Sequence, residues 1–250
     1  MSDSNRGYTS PISARADMAV DAGLRGFMLG VYNKLALGLI LSAALAYVTS
    51  SLPAARDLLY VTDPESGRLA GFTLLGTVVR FSPLAVILFG AFSRRTITPR
   101  SAGIYYWTVV ALIGAGLGVW FLVYQIPSVF MTFLITAASF GALSLVGYTT
   151  KKDLTGFGNF LIMGLFGIII AMFANYFMHI EGLAFIVNIL GVLIFAGLTA
   201  YDTQRLKLSY YQLGGDQAAM SVATNYGALS LYLNFINLFQ FLLSFTGSRR

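Results

Sequence analysis

Residues 157–178 read FGNFLIMGLFGIIIAMFANYFM, a run without a single charged side chain. The hydrocarbon core of a bilayer is about 30 Å thick, and a helix needs about 20 mostly apolar residues to cross it. The run is long enough and apolar enough to do so, and it therefore predicts a transmembrane helix.

The rest of the chain repeats this pattern. Apolar residues make up 57% of the sequence and charged residues 10%, with a mean hydropathy of +0.74, against about 45–50% and about 25% in ordinary globular proteins. The short alternating segments of a membrane β-barrel do not occur in the sequence. We predict an all-α membrane protein, a bundle of seven transmembrane helices at about Leu29–Thr49, Gly71–Phe92, Ile104–Tyr124, Val129–Tyr148, Phe157–Met178, Leu183–Tyr201 and Thr224–Phe245.

Most connections between these runs are short, for example Gln125–Ser128 and His179–Gly182. Short connections make consecutive helices antiparallel neighbours within one bundle. We therefore divide the chain into a polar N-terminal tail, residues 1–28, and one membrane domain, residues 29–250. The tail has mixed charge and lacks the apolar core and cleavage site of a secretory signal.

Lysine and arginine residues flank the runs unequally on the two sides. One side has nine, Arg15, Arg25, Arg94, Arg95, Arg100, Lys151, Lys152, Arg205 and Lys207, and the other has four, Arg56, Arg68, Arg249 and Arg250. Cytoplasmic loops carry the excess of positive charge. We predict a cytoplasmic N-terminus and, after seven spans, a periplasmic or external C-terminus, with a bacterial chain lying in the inner membrane. The pair Arg249–Arg250 opposes this rule.

The residues needed for most enzyme classes are missing. The chain has no cysteine and one histidine, His179, which excludes disulfides, thiolate metal sites and cysteine nucleophiles. His179 and Glu181 supply too few ligands for a catalytic zinc site. The His-Glu-x-x-His motif and the glycine-rich nucleotide-binding signatures do not occur. We predict neither an enzyme nor a resident cofactor, and the small clusters of basic residues do not indicate nucleic-acid binding.

Asp202 follows the sixth run directly. An ionisable group at membrane depth costs about 2.5–3.5 kcal/mol on insertion scales and needs an explanation. Two interpretations remain open. Asp202 is either a protonatable or cation-binding carboxylate that faces a polar cavity, or an interfacial acid paired with Arg205 one turn further on. The adjacent residues Thr199–Tyr201 and Thr203–Gln204 suit a polar, hydrogen-bonded niche.

The last run carries Asn234, Asn237 and Gln240 on one helical face, three residues apart. A polar stripe on a membrane helix should face protein or water. It indicates either a central helix that lines a pathway or hydrogen bonding between helices. Two cations within the runs, Lys34 and Arg80, are expected to extend along their helices to the membrane surface.

Three sequence strings resemble a known family: GYTTKKDLTGFG at 147–158, LTAYDTQ at 198–204 and LSLYLNFINLF at 229–239. They are similar to the Bax inhibitor-1 (BI-1) family, the transmembrane Bax inhibitor motif proteins, and within it to the bacterial YccA- and YbhL-like branch. The resemblance implies a seven-helix bundle whose last helix is enclosed by the other six. It also implies a pH-sensitive calcium leak channel or a role in stress responses.

The family's sensor is a pair of carboxylates, and an arginine at the cytoplasmic end of the second span holds the closed state. By resemblance, Asp202 is the first carboxylate and Arg94, rather than Arg95, is the closed-state latch. The second carboxylate is Asn234 here. Adjacent carboxylates share one proton, which makes pH sensing near neutrality possible. An Asp–Asn pair therefore predicts weaker pH gating and weaker attraction for Ca²⁺.

Two functions follow. The first is a passive cation leak, with Asp202 as the cation and proton site, Asn234 as its partner, and Asn237, Thr203 and Tyr201 as supporting polar groups. Ca²⁺ is then a permeant ion that Asp202 ligates in passing. The alternative is a non-conducting protein of the bilayer that binds a membrane-anchored protease of the FtsH kind.

Overall fold

The computed structural model describes residues 11–63, 68–92, 97–180 and 182–250, with side chains from Ala22 onward. Its elements are, in order, α1 Pro11–Ser51, α2 Pro53–Leu59, β1 Tyr60–Thr62, β2 Leu69–Phe72, α3 Leu74–Phe92, α4 Pro99–Val123, α5 Ile126–Thr149, α6 Thr155–Met178, α7 Leu183–Gln212 and α8 Gln217–Thr246. The two strands form an antiparallel hairpin with Tyr60 opposite Phe72. The predicted all-α class is confirmed, with this small hairpin as an addition.

Six of the helices are long and apolar enough to cross a membrane: α1 from Ala22 onward, and α4 to α8. They correspond to six of the seven predicted runs. The remaining run, predicted at Gly71–Phe92, corresponds to α3, whose apolar part Leu74–Gly90 is shorter. This helix starts late because the residues before it form strand β2, and it contains Pro83, which has no N–H to donate.

The first helix begins earlier than predicted. It begins at Pro11, and Leu24, Phe27 and Met28 are buried in the main hydrophobic core. The division between tail and membrane domain at residues 28 and 29 stays a prediction, although α1 is continuous across it. The sequence predicts the tail from the polar and mixed-charge character of residues 1–28. Arg25 is exposed, whereas Leu24, Phe27 and Met28 are buried.

Helices α3 to α8 alternate in direction, and α1 runs parallel to α4, so the bundle has two ends. We call the end with Ala22 and the loops at residues 150–154 and 213–216 the N-side, and the opposite end, with the hairpin and the Tyr124–Gln125 turn, the far side. Residues 248–250 lie on the far side. The Gln125 amide donates to the Ser248 carbonyl oxygen at 3.0 Å, and the Arg250 amide donates to that of Val123 at 3.0 Å.

The last helix, α8, is the most enclosed of the six candidate spans. In its most apolar 18-residue segment 56% is buried inside the protein, against 17% in the corresponding segment of α6. It packs mainly on α1, α4, α5 and α7, while two cavities described below lie between it and parts of α3 and α6. This supports the predicted central position, although α8 packs closely on four helices rather than on all six.

Close helix packing near the N-side depends on Gly147 of α5. A Cβ atom at this position would overlap the carbonyl oxygen of Ala200 on α7. In a bilayer, helices associate through close van der Waals contact rather than through the hydrophobic effect, so small residues at such crossings matter. Gly147 thereby sets the distance between α5 and the part of α7 that precedes Asp202.

We expect Gly147→Ala to lower the free energy of unfolding by about 1–3 kcal/mol, because an added methyl group overpacks this crossing. Thermal unfolding in detergent measures the effect. The matched control is Gly141→Ala on the same helix, where a Cβ meets nothing within 4 Å. Equal unfolding temperatures for the two variants would contradict the role of Gly147.

Candidate functional site around Asp202

The side chain of Asp202 is buried between α7 and α8, with 6% of the residue exposed. Its neighbours on α7, Leu198, Thr199 and Thr203, are also buried, because this face of α7 packs on α8. The carboxylate thus lies inside the bundle, where an unpaired charge would be costly. Its hydrogen bonds therefore decide whether the site is stable.

Both carboxylate oxygens of Asp202 have partners. The Ser230 hydroxyl donates to Oδ2 at 2.5 Å, and the Asn234 amide donates to the same oxygen at 2.8 Å. The Arg205 guanidinium pairs with Oδ1 at 3.1 Å. Of the two open interpretations, the structure shows the ion pair with Arg205 on the same helix and adds hydrogen bonds to α8, while cation binding or protonation of Asp202 stays a prediction.

Arg205 reaches this carboxylate from the surface. Its side chain is 52% exposed, its guanidinium lies 5.7 Å from the centre of the Tyr201 ring, and it also donates to the Ser230 hydroxyl at 3.5 Å. Because solvent screens a half-exposed ion pair, the Asp202–Arg205 contact contributes little stability. Arg205 is the counter-charge of the Asp202 carboxylate.

The structure separates the other predicted site residues. The buried Thr203 hydroxyl donates to the Thr199 carbonyl oxygen at 2.9 Å and lies 3.4 Å from the Tyr32 hydroxyl. The Tyr201 ring lies against Gly158 of α6, and neither residue bonds the Asp202 carboxylate. Arg94 and Arg95 lie outside the described residues, so the predicted latch stays a prediction, and Arg205 is the cation found at the carboxylate.

Ser230 is a residue of the site that was not singled out from the sequence, whereas Gln204 belongs to the predicted polar niche. Ser230 stands four residues before Asn234, on the same helical face, so the stripe continues one turn further than predicted. Gln204 holds the loop between α5 and α6 to α7, because its amide donates to the Lys152 carbonyl oxygen at 2.7 Å and its oxygen accepts from the Leu154 amide at 2.8 Å. The four-residue spacing between Ser230 and Asn234 is the sequence signal that could have identified Ser230.

Two partly open cavities lie along the polar face of α8. The first, of about 490 Å³, lies among α6, α7 and α8, and its polar lining is Asn188, Ser230, Asn234, Asn237, Gln240 and Ser244. The second, of about 540 Å³, lies among α3, α4 and α8 and shares Asn237 and Gln240. The predicted stripe therefore faces open space. Asp202 does not line either cavity itself and adjoins the first only through Ser230 and Asn234.

The two cations within the runs have different surroundings. Arg80 is exposed, lines the second cavity and lies 4.8 Å from the centre of the Phe72 ring in the hairpin. Lys34 instead donates to the side-chain oxygen of the buried Asn225 on α8 at 2.6 Å. Its ammonium group is therefore hydrogen-bonded to a neighbouring helix. Lys34 thereby ties α1 to α8 at the N-side.

Metal-binding clusters do not occur in the part of the chain that the structure describes, where no three His, Cys, Asp or Glu side chains lie together. The oxygen atoms at the site are the Asp202 carboxylate, the Ser230 hydroxyl and the Asn234 amide. Ca²⁺ takes six to eight oxygen ligands in tight sites. The site therefore provides fewer oxygen ligands than a tight Ca²⁺ site.

We expect Asn234→Ala to destabilise the protein by about 1–3 kcal/mol, because a buried carboxylate loses a donor. The matched control is Asn237→Ala. The Asn237 amide donates to the Leu233 carbonyl oxygen of its own helix, and membrane hydrogen bonds average about 0.6 kcal/mol. Unfolding in denaturing detergent compares the two variants, and a larger loss for Asn237→Ala would be inconsistent with the site as described.

Comparisons with known proteins agree with this architecture. The family described as "Inhibitor of apoptosis-promoting Bax1" matches residues 24–250. An uncharacterized protein of Caulobacter vibrioides is 62% identical over the full length of both chains. The inner membrane protein YbhL of Escherichia coli (strain K12) is 39% identical over 94% of this chain and 98% of its own length. The resemblance found in the sequence is confirmed, and the chain belongs to the Bax inhibitor family of integral membrane proteins.

Proposed function

We propose that this chain is a passive cation pathway of a bacterial inner membrane and that Ca²⁺ is its permeant ion. The observation that carries the proposal is the buried Asp202 carboxylate, bonded to Ser230 and Asn234 at one end of a polar stripe that faces two cavities. Intramembrane ionisable residues commonly mark ion or proton pathways.

The proposed topology has seven spans, with the shorter α3 as the second. The N-side is then cytoplasmic and residues 248–250 are external, in line with the nine basic residues on one side and four on the other. The relative YbhL is an inner membrane protein of Escherichia coli. Asp202 then lies in the cytoplasmic half of the bundle.

In the proposed mechanism, Arg205 and the permeant cation compete for the Asp202 carboxylate. The Asp202–Arg205 contact is the resting state, and a hydrated cation at Ser230 and Asn234 replaces it during passage. Conduction requires binding that is strong enough for entry and weak enough for release. One carboxylate with two neutral partners meets this requirement, whereas a cluster of acids would hold Ca²⁺ tightly.

Asn234 determines the proposed response to pH. Its amide satisfies one oxygen of Asp202 without adding a second charge. A single carboxylate has no neighbouring acid with which to share a proton, so the coupled titration of a carboxylate pair is lost. We therefore propose that the flux changes only weakly around neutral pH.

We expect Asp202→Ala to lower Ca²⁺ flux into vesicles that contain the purified protein by about tenfold, equivalent to about 1.4 kcal/mol of lost cation attraction. A Ca²⁺-sensitive dye inside the vesicles measures the flux. The matched control is Asp153→Ala, which removes an exposed acid from an N-side loop. Hydrogen bonds from Thr155 lower the pKa of Asp153, so the control also removes an ionised group.

Vesicles that stay tight with the wild-type protein would overturn the conduction proposal. If deletion of residues 2–21 then altered the cellular phenotype while Asp202→Ala did not, the alternative of a protease-binding protein would replace it.

We expect Asn234→Asp to make Ca²⁺ flux rise steeply with pH between about 6 and 8, because two adjacent carboxylates lose their shared proton over a range near neutrality and gain negative charge. The same flux assay at several pH values measures this. The control is the double variant Asn234→Asp with Asp202→Asn, which keeps one carboxylate and should respond weakly. A steep response in the wild type would contradict the assigned role of Asn234.

A further inference from the structure

A cleft separates α1 from α5 at the N-side, away from the Asp202 carboxylate. It has a volume of about 450 Å³, and its α1 wall includes Arg25, Met28 and Leu29. Its α5 wall includes Gly141, Ser144, Leu145 and Tyr148. Leu29 and Leu145 are 50% and 62% exposed. Both belong to candidate membrane spans, so the cleft opens towards lipid.

The floor of this cleft contains an unsatisfied hydroxyl group. Ser144 is 5% exposed, and its Oγ has no hydrogen-bond partner within the described residues. Hydroxyl groups in membrane helices usually bond the carbonyl oxygen four residues earlier. Thr136 and Thr149 on the same helix do so, each at 2.7 Å. A buried hydroxyl without a partner loses free energy, so a ligand in the cleft that accepts a hydrogen bond would be stabilised.

Positive charge lies at the N-side end of the cleft. Arg25 is exposed and lines it. The Lys207 ammonium donates to the Tyr148 carbonyl oxygen at 3.0 Å and lies 5.2 Å from the centre of the Tyr148 ring. Ser144 stands one helical turn deeper in the membrane than Tyr148, about 6 Å along the axis. Beyond it, Gly141 leaves open space, since a Cβ there meets nothing within 4 Å.

The order of these groups from surface to interior is cations, a hydroxyl donor, then an apolar wall with free volume. A diacyl glycerophospholipid presents its groups in the matching order, namely phosphate, ester carbonyl and acyl chain. Basic pockets between helices bind anionic lipid headgroups in other membrane proteins. We propose that this cleft binds one glycerophospholipid from the N-side leaflet, with its phosphate at Arg25, an ester carbonyl at Ser144 and an acyl chain beside Gly141.

The site also adjoins the Asp202 helix. Tyr32 lines the deep end of the cleft, and its hydroxyl lies 3.4 Å from that of Thr203, the residue after Asp202. A bound lipid would therefore contact a side chain that packs on α7. The lipid site does not depend on conduction, and its test uses binding alone.

Native mass spectrometry of the full-length protein, with phosphatidylglycerol added after delipidation, measures the bound lipid directly. We expect one retained lipid per chain in the wild type. Arg25→Gln should weaken binding by roughly tenfold, as expected for the loss of a charge-assisted hydrogen bond, and Ser144→Ala should weaken it less. Diacylglycerol with the same acyl chains has no phosphate. It should therefore bind to the wild type as weakly as phosphatidylglycerol binds to Arg25→Gln.

The decisive variant is Gly141→Leu, which adds a bulky side chain at a residue that lines the cleft and should abolish lipid retention. Its matched control is Gly167→Leu on α6, an exposed position where a Cβ also meets nothing within 4 Å. Equal unfolding temperatures in the absence of lipid show that both variants fold. Lipid retention by Gly141→Leu at the wild-type level would overturn the proposal, as would equal binding of diacylglycerol and phosphatidylglycerol to the wild type.

Discussion

Hydrogen bonds to one buried carboxylate join helices α7 and α8, which together form the candidate functional site. Asp202 on α7 accepts hydrogen bonds from Ser230 and Asn234 on α8, in addition to its ion pair with Arg205 on its own helix, so the carboxylate is solvated across a helix interface. In a low-dielectric interior an uncompensated carboxylate would be neutralised or drawn to the surface. The interface between α7 and α8 must therefore stay closed around these three side chains for the site to exist.

That constraint accounts for the contrast between α8 and the outer helices. α8 has polar side chains along one face, which must contact protein or water, and it is the most buried span. α6 has no charged residue between Thr155 and Met178 and is mostly exposed, as suits a helix that faces lipid. The polar face of α8 is only partly covered, since cavities remain beside Asn237 and Gln240. Those cavities give the proposed cation route its space.

The helices could be predicted because their physical cause is local. A run such as Phe157–Met178 has to satisfy its own backbone hydrogen bonds in lipid, so it must be helical whatever surrounds it. Predictions were incomplete where neighbours decide the outcome. Phe27 and Met28 are buried by packing although charged residues lie close in sequence. Helix α3 is shorter than the predicted second run because Tyr60 and Phe72 pair in a hairpin. Strands this short leave little pattern in a sequence.

For the site, the sequence by itself determined which groups were unusual, namely an acid beside an apolar run and a polar stripe on the last helix; that Asn234 replaces a second carboxylate is what the family resemblance implies. Charge, hydropathy and helical spacing are properties of residue types, so these conclusions needed no coordinates. Only the tertiary structure decided that Arg205 contacts Asp202, that Ser230 joins Asn234, and that Ser144 lacks a partner. Each of these depends on the distance between atoms on different helices or on the direction of one side chain, and helix packing alone sets both.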